Sequence, residues 1–258
     1  MLNRAVMKTA AITLVCALLL VGCNRAKNRT LALVFIIDMT ASTDAEGRAK
    51  AFTAVRSWFE QKRLRRGDKV TVIPITGDAW TESQGRIVRF RLSETREAYD
   101  GDLRRLGEEV FNSLERMEKE AAENPYKFSD ILGAVQLGAE ELEKESEHTQ
   151  KVLIVLSDFV QDDAQAKFKT ASYLADKKTA QDYAKKIATS QPQSFKDDLI
   201  YLGLLRSTEL KSLSPVRRDA LQAFWAEYFR QRGAREVTMV TDGPGQIDSV
   251  VKAERVTD

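Results

Sequence analysis

Two aspartates and three hydroxyl residues have the types and placement to do chemistry together. Asp38 ends an apolar run at 31–37, and Asp158 follows a second apolar run at 151–156. Thr40 and Ser42 occupy alternate positions after Asp38, so their hydroxyls can turn towards one point, and Ser129 brings a third hydroxyl from another loop. Two carboxylates brought close repel each other and call for a cation. All five side chains are hard oxygen donors with no His or Cys among them, a set that suits Mg²⁺ or Mn²⁺ and disfavours zinc. The plainer assignment makes Ser42, Thr43, Asp44 and Ser129 helix caps, and Asp38 and Asp158 turn residues.

Other chemistry is narrowed by what the chain lacks. Its two cysteines are Cys16 and Cys23, and both fall in the N-terminal region, which leaves no thiol for a disulfide, a zinc cluster or a nucleophile in the body of the protein. The single histidine, His148, stands in a charged stretch and reads as an exposed loop residue. Basic and acidic residues number 40 and 38, a balance that gives no electrostatic footprint for nucleic acid.

The N-terminus has its own logic. Arg4 and Lys8 precede an uninterrupted apolar run at 10–21, followed by Gly22-Cys23. A membrane span needs roughly 20 apolar residues, so this run is too short to stay as one and reads as a cleaved export signal. Leu20-Val21-Gly22-Cys23 resembles the bacterial lipobox, which implies cleavage before Cys23, acylation of its thiol, and lipid anchoring in the cell envelope, periplasmic or on the outer surface. Asn24 is not the Asp that in some bacteria signals retention at the inner membrane, so outer-membrane delivery stays open. The organisation expected is a signal peptide at 1–22, a lipidated tether at 23–29 and one folded domain at 30–258.

That domain must position the five oxygens. The runs at 31–37, 69–76, 151–156, 199–205 and 236–241 predict strands. The alternating stretch at 86–92 predicts a half-exposed edge strand, paired with the strand at 69–76 across the loop 77–84. Apolar residues at three- and four-residue spacing predict helices at 45–64, 101–124, 131–144, 171–188 and 215–232. Gly133, Ala134 and Gly138 would let the third helix lie close to the sheet, and the aromatic stripe Phe224, Trp225, Tyr228 and Phe229 reads as core. Strand–helix alternation with right-handed crossovers gives a doubly wound, mostly parallel α/β sheet of six strands, with helices on both faces and one antiparallel edge strand. In such a sheet Asp38 and Asp158 end neighbouring strands where the winding reverses, the place where ligands bind.

On these residues the chain resembles the von Willebrand factor A domain family and its metal-ion-dependent adhesion site. The Asp-x-Ser-x-Ser pattern stands as Asp38-Met39-Thr40-Ala41-Ser42, the separate threonine as Ser129, and the final aspartate as Asp158, over residues 30–246. The resemblance implies that Thr40, Ser42 and Ser129 contact the ion directly or nearly so, and that Asp38 and Asp158 act largely through waters. Few charged direct ligands would leave the ion able to take a carboxylate from a partner protein, which is binding and not catalysis. Thr40 for Ser and Ser129 for Thr depart from the commonest pattern while keeping the hydroxyls. Two rival functions are a phosphatase resembling the haloacid dehalogenase superfamily, with Asp38, Ser157 and Asp242 in its roles, and a metal-free scaffold binding through the helix at 101–124 or the edge strand. The first lacks its usual second aspartate, because Thr40 stands there.

Overall fold

Strand β1 (Leu31–Asp38) is buried along its whole length, as an apolar run flanked by sheet on both sides should be. The computed structural model describes residues 30–60, 64–163 and 166–240. The expected export signal, Cys23, the expected tether and Asp242 lie outside them. Successive side chains of a strand point to opposite faces, and β1 divides accordingly. Leu31, Leu33, Phe35 and Ile37 pack with helices α1 (Ala45–Glu60) and α2 (Arg96–Glu123). Ala32, Val34 and Ile36 pack on the other side with α3 (Ile131–Glu143) and with the aromatic side chains of the last long helix. No helix among the described residues is long and apolar enough to cross a membrane.

The remaining elements are β2 (Lys69–Ile75), β3 (Val88–Arg91), β4 (Gln150–Ser157), α4 (Lys177–Ser190), β5 (Leu199–Leu204), the short α5 (Thr208–Ser212), α6 (Pro215–Gln231) and β6 (Glu236–Val240). The six strands are ordered β3-β2-β1-β4-β5-β6. All neighbours pair parallel except β2 and β3, so the expected α/β class and the antiparallel edge strand are both present. That edge is short and guarded: Arg89 and Arg91 of β3 reach Glu141 of α3 and Glu145 just beyond its end at 3.0 and 2.6 Å. Charge on a short edge strand discourages pairing with another chain.

Packing follows the sequence closely on α3 and α6. A Cβ on Gly138 would stand 3.0 Å from Leu153 and 3.1 Å from Ile36, so the missing side chain is what lets α3 lie on β1 and β4. Gly133 does something else: a Cβ there would strike the Asp130 carboxylate, so it clears space for that group. Phe224, Trp225, Tyr228 and Phe229 are all fully buried, and each contributes about 1.5–3 kcal/mol by leaving water.

Local departures from expectation have local causes. The helix expected at 171–188 is a 3₁₀ turn (Ser172–Leu174) and then α4, because Asp176 caps a fresh start by accepting the Thr179 N–H. Helix α2 begins at Arg96 instead of 101, held by Tyr99, whose hydroxyl donates to the Leu64 carbonyl at 2.5 Å. The first helix ends at Glu60, and Leu64 is not helical. The loop 77–84 holds a π-helical turn (Ala79–Ser83), capped by Asp78. A 3₁₀ turn (Gln84–Arg86) then shortens the edge strand.

Candidate metal centre

The chain leaves β1 for β2 and β3 on one side and later crosses to β4 on the other, so the ends of β1 and β4 bound the crevice where the winding reverses. Asp38 is the last residue of β1, and Asp158 follows the last residue of β4; both are completely buried. The loop after Asp38 is stitched on both sides by backbone hydrogen bonds. Ala41 N donates to the Tyr126 carbonyl at 2.7 Å, and Asp44 N to the Arg206 carbonyl at 3.3 Å. Ser129 is fixed in the same way, exchanging 2.8 and 3.1 Å bonds with Asp162. Segments far apart in sequence are therefore held in one arrangement before any ligand arrives.

Within that frame the three hydroxyls meet. Ser129 Oγ donates to Thr40 Oγ1 at 2.8 Å, Thr40 Oγ1 and Ser42 Oγ lie 2.9 Å apart, and Ser42 Oγ and Ser129 Oγ lie 3.4 Å apart. Thr40 is tied in turn to Asp38, whose Oδ1 accepts both its hydroxyl at 2.6 Å and its backbone N–H at 2.8 Å. Asp38 Oδ2 accepts the Ser157 hydroxyl at 2.7 Å. Ser42 is partly exposed while Thr40 and Ser129 are buried, so the cluster opens to solvent on the Ser42 side.

Capping does not consume these hydroxyls. Asp44 caps the start of α1 by accepting the Gly47 N–H at 2.7 Å, and Asp130 caps α3 by accepting the Gly133 N–H at 2.8 Å. Gln161 completes the α3 end by accepting the Ile131 and Leu132 N–H groups. With neighbours satisfying the helix ends, Ser42 and Ser129 are released to the cluster. The two site aspartates do hold turns: Asp158 Oδ1 accepts the Val160 N–H at 2.9 Å, the counterpart of Asp38 and Thr40.

Asp158 differs from Asp38 in its second oxygen. Its Oδ2 is buried and has no hydrogen-bond partner among the described residues. The hydroxyls of Ser207 and Ser42 lie near enough to favour its charged form without meeting hydrogen-bond geometry at that atom. Burial and then the Asp38 charge push the Asp158 carboxyl well above the usual carboxylate range, and burial does the same to Asp38 against its hydrogen bonds. Neither makes an ion pair among the described residues; Arg48, the nearby cation, donates instead to the Thr40 and Thr43 carbonyls. Asp158 is also presented by a strained turn. Phe159 has φ of 62°, and it is locked there by burial and by Trp225, which donates to its carbonyl at 3.0 Å.

A small hard cation fits this donor set. Six oxygens about 2.1 Å from an Mg²⁺ stand about 3.0 Å from their nearest neighbours, close to the spacing of the three hydroxyls. An orphaned carboxylate oxygen beside them supplies charge. Among the described residues no group of three or more His, Cys, Asp or Glu side chains could hold a metal. Nucleophilic use of Asp38 is poorly served, since both its oxygens are engaged and the residue is sealed from solvent. Ser157 and Ser207 are the positioning residues that sequence reasoning did not assign to this cluster; a serine ending a buried strand beside Asp158 was the available signal for the first.

No family model matches the chain, and no curated protein matches its sequence. Solved structures give weak likenesses. The pilus adhesin SpaC from Lactobacillus rhamnosus GG, in its open conformation, is 9% identical, with a TM-score of 0.45 over 89% of this chain and 30% of that one. The human COPII-coat protein Sec24c is 10% identical, with a TM-score of 0.40 over 91% of this chain and 33% of that one. A von Willebrand factor type A protein from Catenulispora acidiphila is 12% identical, with a TM-score of 0.40 over 89% and 42%. The chain spans less than half the length of each of these proteins.

Proposed function

We propose that the folded domain is a divalent-cation-dependent protein-binding module, not an enzyme, and that lipid on Cys23 holds it at a bacterial membrane in the cell envelope. The observation that carries the binding reading is the buried, partnerless Asp158 Oδ2 beside three converging hydroxyls. Mg²⁺ or Mn²⁺ would relieve the repulsion between Asp38 and Asp158. With Thr40, Ser42 and Ser129 as neutral ligands, the ion would keep enough charge to draw a carboxylate from a partner protein. Phe128, beside Ser129, is 51% exposed. Exposed aromatics near a polar site are what an interface centre uses.

Mn²⁺ titration followed by electron paramagnetic resonance, with Mg²⁺ as competitor, tests the ion site. Wild type should bind and Asp38→Ala should not; equal affinity in both removes the proposal. Membrane fractionation of Cys23→Ser tests the anchor separately, with release into the soluble fraction expected.

A further inference from the structure

The geometry points to a second half of the same site: a cleft beside Asp158 that takes one bulky apolar side chain of the partner, adjacent to the acidic residue the ion would hold. This rests on the cation-binding reading above. The cleft lies between α5, α6 and the ends of β5 and β6, with a volume of about 260 Å³. Its floor is apolar, formed by Phe159, Leu204, Leu221 and Met239. An apolar cavity of about 150 Å³ accepts a benzene ring, so this one holds a single aromatic or branched side chain and little more.

Two connections make it continuous with the ion site. Phe159 is the residue after Asp158, and it belongs both to the strained turn that presents the carboxylate and to the lining of the cleft. Ser207 lines the cleft while its hydroxyl lies beside Asp158, and its backbone bridges to Thr43 in the loop after Asp38. One short peptide could therefore reach both places.

Charge selects the occupant. Arg206 and Lys211 stand at the mouth. The Arg206 side chain is exposed and makes no salt bridge within 4.0 Å among the described residues, its charge acting on Glu46 from farther away, and Lys211 holds Asp44 at 3.5 Å with a side chain 66% exposed. Cations around an apolar floor favour an acidic segment carrying one large apolar residue over a neutral or basic one.

Calorimetry of the mature chain with synthetic capped peptides tests this. The probe is Gly-Phe-Glu-Asp-Gly, with counterparts in which Phe is replaced by Ala or Glu by Gln, in saturating Mg²⁺ and in EDTA. The Phe peptide should bind about tenfold or more tighter than the Ala peptide, the range a hydrophobic pocket gives. Leu210→Trp, which fills the cleft from α5, should erase that preference, and Arg206→Glu should weaken both peptides. Should Leu210→Trp fail to fold by circular dichroism, Gln222→Trp on α6 replaces it. Equal binding of Phe and Ala peptides, with binding still lost in EDTA, overturns the cleft and leaves the ion site standing. Binding indifferent to EDTA and to Glu→Gln overturns the ion site, and the Phe-to-Ala ratio then judges the cleft alone. Equal peptide affinities together with a lowered melting temperature in Leu210→Trp would assign the cleft to residues 241–258 of the chain itself and overturn the proposal.

Discussion

Ser157 Oγ donates to Asp38 Oδ2 across 2.7 Å, joining the ends of two parallel strands whose register sets Ile37 opposite Leu156. The bond satisfies one oxygen of a carboxylate that is sealed from water. Ser157→Ala should therefore cost about 1–3 kcal/mol, because a buried acceptor is left without its donor. Urea unfolding followed by the fluorescence of buried Trp58 and Trp225 measures this. A change under about 0.5 kcal/mol, the usual range for an ordinary surface substitution, would show that Asp38 does not depend on Ser157.

Asp158 predicts the opposite sign. Its raised pKa means that at neutral pH its charge works against the folded state, through burial and the Asp38 charge. Asp158→Asn should stabilise the metal-free protein by about 1–2 kcal/mol while abolishing any rise in melting temperature on adding Mg²⁺. Thermal scans in EDTA and in Mg²⁺ decide it. A less stable variant that kept its Mg²⁺ response would contradict both halves.

How much of this could be read from the chain depends on the range of each interaction. Strands β1 and β4 and the aromatic face of α6 announce themselves because burial on both faces demands unbroken apolar runs or wide stripes. The two aspartates stand out because the strands they follow are neighbours where the winding of a doubly wound sheet reverses. What spacing cannot decide is which of several neighbouring polar residues caps a helix. Ser and Asp are nearly equal caps, so only the folded arrangement shows that Asp44 and Asp130 take that duty. The early start of α2 is hidden for a related reason. Residues 96–100 are mostly charged, and Tyr99 is fixed by a carbonyl 35 residues away.

Gly138 tests the packing that holds the site's floor. Its Cα faces Leu153 of β4 and Ile36 of β1, the strands that end at the candidate ligands. Gly138→Val adds branched bulk where even one Cβ is tight, so helix α3 must shift, at a cost of about 1–3 kcal/mol. Chemical unfolding reads the loss. A variant as stable as wild type would mean that α3 can move off the sheet freely.

Glu141 and Asp198 predict opposite slopes of stability with pH. Burial alone would raise Glu141, but Arg89, Lys144 and Lys69 outweigh it and hold the carboxyl at about 2 against an ordinary 4.5. A lowered folded pKa gives stability that is complete above about 4.5 and lost as pH falls towards 2. Arg89 and Lys144 are 43% and 56% exposed, so solvent screening limits this contribution to about 1 kcal/mol. Asp198 runs the other way: burial pushes it up to about 7, with Asp197 and Glu143 adding and Lys151 opposing. Its contribution is complete below the ordinary 3.8 and is lost as pH rises through about 7. Asp198→Asn should accordingly flatten the stability curve between about pH 4 and pH 7 and raise it on the alkaline side, by up to about 3 kcal/mol. Glu141→Gln should flatten only the acid limb and lower the plateau. Urea midpoints collected from pH 2 to pH 8 separate the two, and an Asp198→Asn curve parallel to wild type throughout would show that this carboxyl titrates as if in water.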